Sequence, residues 1–279
     1  MSAGNLRTLL DEATARLRAS PTARRDAELL FMRAADRDRA WLLSHPEAEL
    51  ASLQSSQFQS WIARRARHEP MQYILGETEF YGLTFKVTPE VLIPRPETEH
   101  LVEAALNHVS RAASVRICDV GTGSGAIAVA LAQKLPRAQL TAVDLSPAVL
   151  AVAGENAERH RVEGRIRFVE SNLLDGLRDE RFDLVLSNPP YVRDDEVLEV
   201  QVRDYEPHAA LFAGPTGLEV YQRLIPQAHK ALVPGGWLLM EIGHGQRSAL
   251  AELLAGWENV NFKDDLQGIP RVAIAQRRA

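Results

Sequence analysis

The segment Phe182-Asp-Leu-Val-Leu-Ser187 reads as a buried strand, and it empties directly into Asn188-Pro189-Pro190-Tyr191. Those four residue types suit one task. The nitrogen of an amide or aniline-like group is a weak nucleophile because its lone pair is delocalised, and no general base usefully deprotonates it near neutral pH. Geometry has to activate it instead. The Asn188 side-chain oxygen and the Pro189 carbonyl can each accept one N–H of a planar NH2 group, drawing it toward pyramidal geometry and turning its lone pair toward an electrophile. With water excluded, each such bond contributes roughly 1–3 kcal/mol. Pro189 and Pro190 fix the carbonyl direction, and the Tyr191 ring can lie on the flat acceptor group. The proton leaves afterwards from an acidic product cation, so no dedicated base is required.

A second constellation precedes it. A predicted strand over 115–120 carries Asp119 and runs into Gly121-Thr122-Gly123-Ser124-Gly125, followed by the helical Ala-Ile-Ala-Val-Ala-Leu-Ala. Glycines there let the chain turn tightly and let a ligand lie against the backbone, while Asp119 can accept a hydrogen bond from a cationic amine. NAD-binding domains use a related pattern, and such a turn also occurs as a purely structural device; no Gly-Lys-Ser/Thr follows, which excludes a P-loop. Asp144 ends the next strand, where its carboxylate can accept both hydroxyls of a ribose. It can equally cap the helix opened by Ser146-Pro147, a task open to Ser146 as well. The glycine turn and the strand-end acid together point to an adenosine-containing cofactor and leave open which one.

Elements that position these residues follow from periodicity. From Asn5 to about Gln72 apolar residues recur at helical spacing: Leu6, Leu9, Leu10, Ala13 and Leu17 lie on one stripe, Leu29, Leu30, Met32 and Ala34 sit in a second segment after Pro21, and Phe58, Trp61, Ile62 and Arg65 make another stripe that Pro70 stops. Short helices packed as a bundle are expected, with the aromatics Phe58 and Trp61 in its core. Between Gly76 and Pro96 the period becomes two, with Leu83, Phe85 and Val87 alternating with Thr84, Lys86 and Thr88, as in one arm of a hairpin or an extended linker. Beyond it helices (97–109, 126–135, 147–160, 218–232, 246–254) interleave with strands (115–120, 139–143, 166–170, 182–187, 237–242, and two near Val260 and 272–275). The expected fold class is α/β, a parallel sheet covered on both faces with its ligand crevice at the carboxyl ends of the strands. The predicted domains are a helical unit over 1–75, a hairpin linker over 76–96 and an α/β domain over 97–279.

Composition narrows the function classes. The 279 residues are 46% hydrophobic and 25% charged, the balance of a soluble globular chain, and no apolar run approaches a membrane span. The N-terminal segment, interrupted by Asp11 and Glu12, lacks an apolar signal core, so neither export nor organelle import is expected and the cytoplasm is the expected compartment. One cysteine, Cys118, excludes an internal disulfide, and the eight histidines form no zinc-binding pattern, so no metal is expected. Net charge −5 is a poor footprint for nucleic-acid binding, and no direct contact with DNA is expected. The local basic cluster Arg64, Arg65, Arg67 and His68 is read as the solvated face of a helix, with an acidic partner surface as the alternative.

The chain resembles the protein-(glutamine-N5) methyltransferases of release factors, the HemK/PrmC type, along nearly its whole length. The resemblance rests on Glu69-Pro-Met-Gln-Tyr-Ile-Leu-Gly76, Glu79-Phe-Tyr-Gly82, Ile93-Pro-Arg95-Pro-Glu-Thr-Glu99, Asp119-Val-Gly-Thr-Gly-Ser-Gly125, Asn188-Pro-Pro-Tyr191, and Pro234-Gly-Gly236 before Glu241-Ile-Gly243. It implies a helical N-terminal domain for substrate recognition, a hairpin linker and a seven-stranded Rossmann-like methyltransferase domain that uses S-adenosyl-L-methionine. The implied acceptor is the glutamine of a release factor's Gly-Gly-Gln loop. Gly121, Thr122, Gly123, Ser124 and Gly125 would wrap the methionine and ribose of the cofactor, Asp144 would hold the ribose hydroxyls, and Asn188 through Tyr191 would bind the glutamine amide, with Asn188 also bordering the cofactor. Where the family often has Asp before an aromatic residue, this chain has Asn172 and Leu173; the Asn oxygen can still accept from the adenine amine, and Leu173 can still pack on the ring. Arg95 and Glu97 either serve the site or lock the linker onto the catalytic domain. Two rivals share the chemistry: a ribosomal-protein glutamine and the exocyclic amine of adenine. The Pro-Arg-Pro-Glu-Thr-Glu stretch favours the release-factor branch over the first, and the acidic balance disfavours the second.

Overall fold

Apolar spacing of three and four residues gives α1 (Leu6–Arg16) its buried face, Leu6, Leu9, Leu10 and Ala13, and the Asn5 side chain caps it by accepting from Thr8 N at 3.0 Å. In this computed structural model, which describes residues 5–49, 51–110 and 112–279, that helix is the first of a bundle. The first four residues of the segment read for a targeting signal lie outside the described residues. With α1 pack α2 (Ala23–Ala35), α3 (Arg39–Ser44), α4 (Ser52–Arg65) and α5 (Met71–Leu75) around Leu10, Leu30, Phe31, Phe58 and Ile62. Phe31 and Phe58 meet edge to face at 5.6 Å. Within the second apolar segment, Ala27, Leu30, Phe31 and Ala35 form the buried apolar face of α2, Met32 and Ala34 pack against the core half-buried, and Leu29 is exposed, because a residue two positions from Ala27 points around the helix from it. Short helix α9 (Val200–Arg203) belongs to this compact unit, which comprises residues through Leu75 together with Glu199–Tyr205. Tyr205 Oη donates to Arg67 O at 2.6 Å, and Arg65 Nη1 donates to Gln201 Oε1 at 3.3 Å.

The second unit, Gly76–Leu198 with Glu206–Ala279, opens with the hairpin β1 (Glu77–Phe80) and β2 (Leu83–Lys86). Tyr81 and Gly82 turn it with φ of 53° and 73°, the two positive values that a tight primed turn requires. Both arms are strands. Phe80 and Phe85 drop from the hairpin into one of the two apolar layers of the main sheet.

Among the described residues that sheet has seven strands in the order β10-β11-β9-β6-β3-β4-β5, where β3 is Arg116–Val120, β4 Gln139–Asp144, β5 Ile166–Glu170, β6 Phe182–Ser187, β9 Leu232–Glu241, β10 Glu258–Asp264 and β11 Pro270–Gln276. Pairings from β5 through β9 are parallel, and the last two strands fold back antiparallel. The two-residue strand β7 (Val192–Arg193) pairs with β8 (Phe212–Gly214) apart from this sheet. Helices α6 (Glu99–His108), α7 (Ala126–Lys134) and α8 (Pro147–Arg159) contribute Leu101, Ile127, Leu131 and Ala157 to one face. Helices α11 (Glu219–Ala231) and α12 (Arg247–Leu253) contribute Tyr221, Leu224 and Leu250 to the other, while α10 (His208–Leu211) is a single short turn before β8. Each such side chain taken fully from water contributes about 1.5–3 kcal/mol. Strand β9 starts five residues before its expected position because the register shift against β6 absorbs Pro234-Gly235-Gly236, which Arg277 clamps from the C-terminal side through Gly235 N and Gly236 O. No described helix is long and apolar enough to cross a membrane.

Strand order reverses at β3: the chain runs outward through β4 and β5, then returns to place β6 on the other side. Open sheets bind their ligands at the carboxyl ends of the strands beside such a switch.

Candidate active site

Register sets the site. Val120 is level with Val143 on one side and Ser187 on the other, and Ser187 is level with Met240. The residues that leave the sheet at Gly121, Asp144, Asn188 and Glu241 therefore emerge side by side along one edge. Ser187 Oγ locks the central pair by donating to Val120 O at 2.7 Å.

The glycine turn is held from below by Val143 O, which accepts from both Gly121 N and Thr122 N at 2.9 Å. Gly121 and Gly123 have φ of 72° and 54°, and a Cβ built at either would meet no atom within 4 Å, so their upper surface is clear. Gly125 serves a different purpose. A Cβ there would come within 3.1 Å of Ala153 Cβ, so its absence lets α7 begin hard against α8. Ser124 is buried, and its carbonyl accepts from Asn156 Nδ2 at 2.9 Å.

Asp119 is fully buried at the end of β3. Its Oδ2 accepts from Thr122 Oγ1 at 2.7 Å, and its Oδ1 has no hydrogen-bond partner. Burial, aided by the nearby Asp144 charge, pushes its pKa up to about 6 against the pull of its hydrogen bonds. Asp144 accepts from Gly123 N at 3.1 Å and from Ser146 N at 3.3 Å, and burial raises its pKa too. The helix cap is Ser146, whose Oγ accepts from Val149 N, so Asp144 is turned to the glycine turn.

Asn188 is half-buried and donates from Nδ2 to Thr98 Oγ1 at 3.1 Å. Among the described residues no donor meets its Oδ1 or the Pro189 carbonyl. Tyr191 Oη donates to Glu241 Oε1 at 3.3 Å, and burial and the Glu241 charge hold its phenol well above the usual tyrosine pKa. A cleft of about 50 Å³ lies beside this turn, lined by Leu92, Arg95, Asn188, Pro189, Tyr191, Val192, Ala210 and Leu211. The larger cavity, about 480 Å³, opens at the amino ends of β3 to β6 around Arg116, Gln139, Ile166 and Phe182. It lies at the wrong end of the sheet for this chemistry.

Asn172 and Leu173 follow β5, one strand beyond Asp144, and Ser171 N ties that segment to Asp144 O at 2.9 Å. Asn172 Oδ1 accepts from Arg223 Nη2 at 2.6 Å, which leaves it one lone pair. Arg95 pairs with the buried Glu206, whose other oxygen accepts from Ile93 N at 3.2 Å, so the linker arginine is anchored within the α/β unit. The basic cluster is largely spoken for: Arg65 Nε meets Asp26 Oδ2 at 2.8 Å, both nearly buried, and Arg64 grips Glu69 through two hydrogen bonds.

Sequence reasoning missed Thr98, Asn156, Arg223 and Gln246 as site-building residues. Gln246 Nε2 donates to Tyr191 O at 3.2 Å and to Gly217 O at 3.1 Å, fixing the far end of the Asn-Pro-Pro-Tyr turn. The signal for Thr98 was its place inside the Pro-Arg-Pro-Glu-Thr-Glu run; none marked Asn156, Arg223 or Gln246.

A glycine turn, a strand-end acid and an Asn-Pro-Pro-Tyr bend on three adjacent carboxyl ends of this sheet define a Rossmann-like methyltransferase. The PrmC N-terminal domain family matches residues 8–76 and the methyltransferase small domain family matches residues 98–204. A release factor glutamine methyltransferase from Koribacter versatilis is 46% identical over 277 residues, covering 98% of this chain and 98% of its own. One from Geobacter sulfurreducens is 45% identical over 254 residues, covering 90% and 88%. The chain belongs to the release factor glutamine methyltransferase family. Its fold also matches a methyltransferase from Pyrococcus furiosus, with a TM-score of 0.52 and 18% identity over 80% of this chain and 100% of that one. A T. Thermophilus 16S rRNA N2 methyltransferase in complex with AdoMet and guanosine matches with a TM-score of 0.54 and 19% identity, covering 72% of this chain and 50% of that one.

Proposed function

We propose that the chain methylates the side-chain N5 nitrogen of the glutamine in the Gly-Gly-Gln loop of peptide chain release factors, with S-adenosyl-L-methionine as methyl donor. The residues present fit that donor. Asp119 Oδ1 is a buried acceptor with no partner, as a cationic amine requires, and the clear surface over Gly121 and Gly123 leaves room for a ligand on the backbone. Thr122 and Ser124 complete that turn, and Asp144 at its lip accepts ribose hydroxyls. Asn172 offers its remaining lone pair to the adenine amine, and Leu173 offers apolar contact. When bound, the donor supplies an electrophilic methyl group on a sulfonium centre.

Asn188 and Pro189 carry the acceptor side. Their two oxygens take the two N–H bonds of the glutamine amide, which draws the nitrogen out of conjugation, while Pro190 and Tyr191 hold the amide plane and exclude water. Tyr191 keeps its phenol proton at all working pH values. Asn188 also borders the donor. The observation that carries this reading is the juxtaposition of Asn188, whose side-chain oxygen meets no donor among the described residues, with the glycine turn on the neighbouring strand, level in register. The linker pair Arg95 and Glu206 shapes the cleft wall, and the helical unit grips the release factor away from the reacting loop.

The test is transfer of labelled methyl to a recombinant release factor. Glutamine to alanine in its Gly-Gly-Gln loop should abolish labelling; labelling of DNA but not of protein refutes the proposal.

A further inference from the structure

At the amino ends of the parallel strands, opposite the edge that carries the glycine turn, positive charge is gathered for which methyl transfer has no use. Arg116 opens β3, Arg137 lies between α7 and β4, Arg165 closes the short 3-10 turn Glu163–Arg165, and Arg167 is in β5. All four line the cavity of about 480 Å³, with Glu180 as its one lining carboxylate. A chain of net charge −5 thus holds three positive charges in excess around one concavity. The geometry points to a binding site for a polyphosphate group, the linked phosphates that a nucleotide or free inorganic polyphosphate carries.

Glu180 answers the four arginines only in part, and its contacts arrange them. Its Oε2 accepts from Arg116 Nη2 at 2.9 Å and its Oε1 from Arg167 Nη2 at 2.5 Å, while Arg167 Nη2 also reaches Thr141 Oγ1 at 3.3 Å. One carboxylate therefore fixes two guanidiniums, and the Arg116 guanidinium is supported by the Phe182 ring, whose centroid lies 5.3 Å away. Arg165 Nη1 donates to Leu135 O at 3.0 Å, which anchors a third. Asp183 is the other carboxylate in contact with this group; its Oδ2 takes the Arg116 main-chain N–H at 2.8 Å, and it does not line the cavity. Arg137 is exposed, and among the described residues no ion pair holds it. A guanidinium has five N–H donors, and these contacts use at most two from any one of them.

Forked guanidinium donors match phosphate oxygens, and a cavity of several hundred cubic ångströms is the size that takes a small molecule. Phe182 is 1% exposed, so its ring is closed to a base and the phosphates are the part recognised. A nucleic-acid strand fits less well, because the excess charge is confined to one concavity of an acidic chain instead of following a track across its surface. The cavity is at the far end of the strands from Asn188, so its occupancy is independent of which nitrogen is methylated.

Calorimetry on the full chain in about 0.15 M salt measures binding of inorganic triphosphate and of ATP, with S-adenosyl-L-methionine at saturation to keep the adenosine of ATP out of the donor site. One or both probes should bind with a Kd below about 1 mM. Arg137→Glu and Arg165→Gln should each weaken that binding by about ten-fold or more and leave donor affinity unchanged. Arg67→Glu, the same change of charge at an exposed position of the helical unit, should alter it by less than about two-fold. Arg137→Glu breaks no ion pair, and it decides alone should Arg165→Gln not fold. Tighter binding of ATP identifies a nucleotide as the source of the phosphates; equal or tighter binding of triphosphate identifies inorganic polyphosphate. Failure of both probes to bind, equal losses in Arg67→Glu and Arg137→Glu, displacement of the probe by S-adenosyl-L-methionine, or tighter binding of a single-stranded oligonucleotide overturns the inference. A chain that labels no glutamine overturns the functional reading and leaves the polyphosphate result standing.

Discussion

Thr122 Oγ1 donates to Asp119 Oδ2 at 2.7 Å, while Asp119 Oδ1, equally buried, meets no donor. The carboxylate is half satisfied inside the fold. Its ionised form is the costly one, since the pKa rises from 3.8 to about 6.

Asp119 therefore opposes folding at neutral pH, and on the proposed reading its ionised form receives the cationic amine of the donor. The sign follows from the raised pKa: the stability that neutral Asp119 contributes is fully present below pH 3.8 and is lost as pH rises through about 6. Asp119→Asn removes the buried charge and keeps an oxygen for Thr122. The apoprotein variant should be more stable than wild type at pH 8 by about 1–3 kcal/mol, with the difference shrinking toward pH 4, as read from thermal melts. Its affinity for S-adenosyl-L-methionine should drop by about ten-fold or more and lack the weakening expected of wild type below about pH 6, as read by calorimetry. A variant that binds as tightly as wild type would remove Asp119 from the donor site.

Asn156 does structural work that reaches the site. Fully buried on α8, it accepts from Lys86 N at 2.7 Å and donates to both Lys86 O and Ser124 O at 2.9 Å, stitching the hairpin edge to the glycine turn. Asn156→Ala leaves buried main-chain groups unpaired and should cost about 2–4 kcal/mol in denaturant unfolding. Asn156→Asp should do no better, because it presents a carboxylate to two carbonyls. Because Ser124 loses its anchor, cofactor affinity should fall in both variants; an unchanged affinity would separate the hairpin contact from the turn.

Legibility in the sequence tracked how local each constraint was. The glycine turn, Asp144 and Asn188 announced themselves because a strand end and the residues after it are contiguous, whereas the adjacency of β6 and β3 is visible only in the structure. Partners distant along the chain were invisible. Asn188 meets Thr98 from 90 residues away, and Asn156 meets Lys86 from 70. Nor does an apolar segment alone tell which side of α2 is inward: Leu29 is exposed while its neighbour Leu30 is fully buried.

The same limit produced the basic cluster, and it yields a prediction. Arg65 looked solvated; it pairs with Asp26, 39 residues earlier, with both side chains nearly buried. Arg65→Ala strands a buried carboxylate and should destabilise the helical unit by about 2–4 kcal/mol. Arg67→Ala, at an exposed position, should shift unfolding by less than about 0.5 kcal/mol. Equal effects in hydrogen exchange across α2 and α4 would show that the Asp26 pair carries no special weight.

Asn188→Ala tests the amide clamp itself. The substitution deletes one of the two oxygens offered to the acceptor NH2 and leaves the Pro189 carbonyl, the glycine turn and Asp144 in place. If the Asn188 oxygen acts mainly as the nitrogen leaves conjugation, single-turnover methyl transfer should fall by about 100-fold or more, the loss seen when one preorganised polar partner is removed from a developing charge. Donor affinity should fall only a few-fold, because Asn188 merely borders that site. On the proposed reading, in which the helical unit carries most of the contact, the release factor should still bind within a few-fold. The discriminating outcome is the split between rate and affinity. A variant whose rate survives while donor binding collapses would make Asn188 a cofactor ligand and leave the acceptor nitrogen to be activated by other groups.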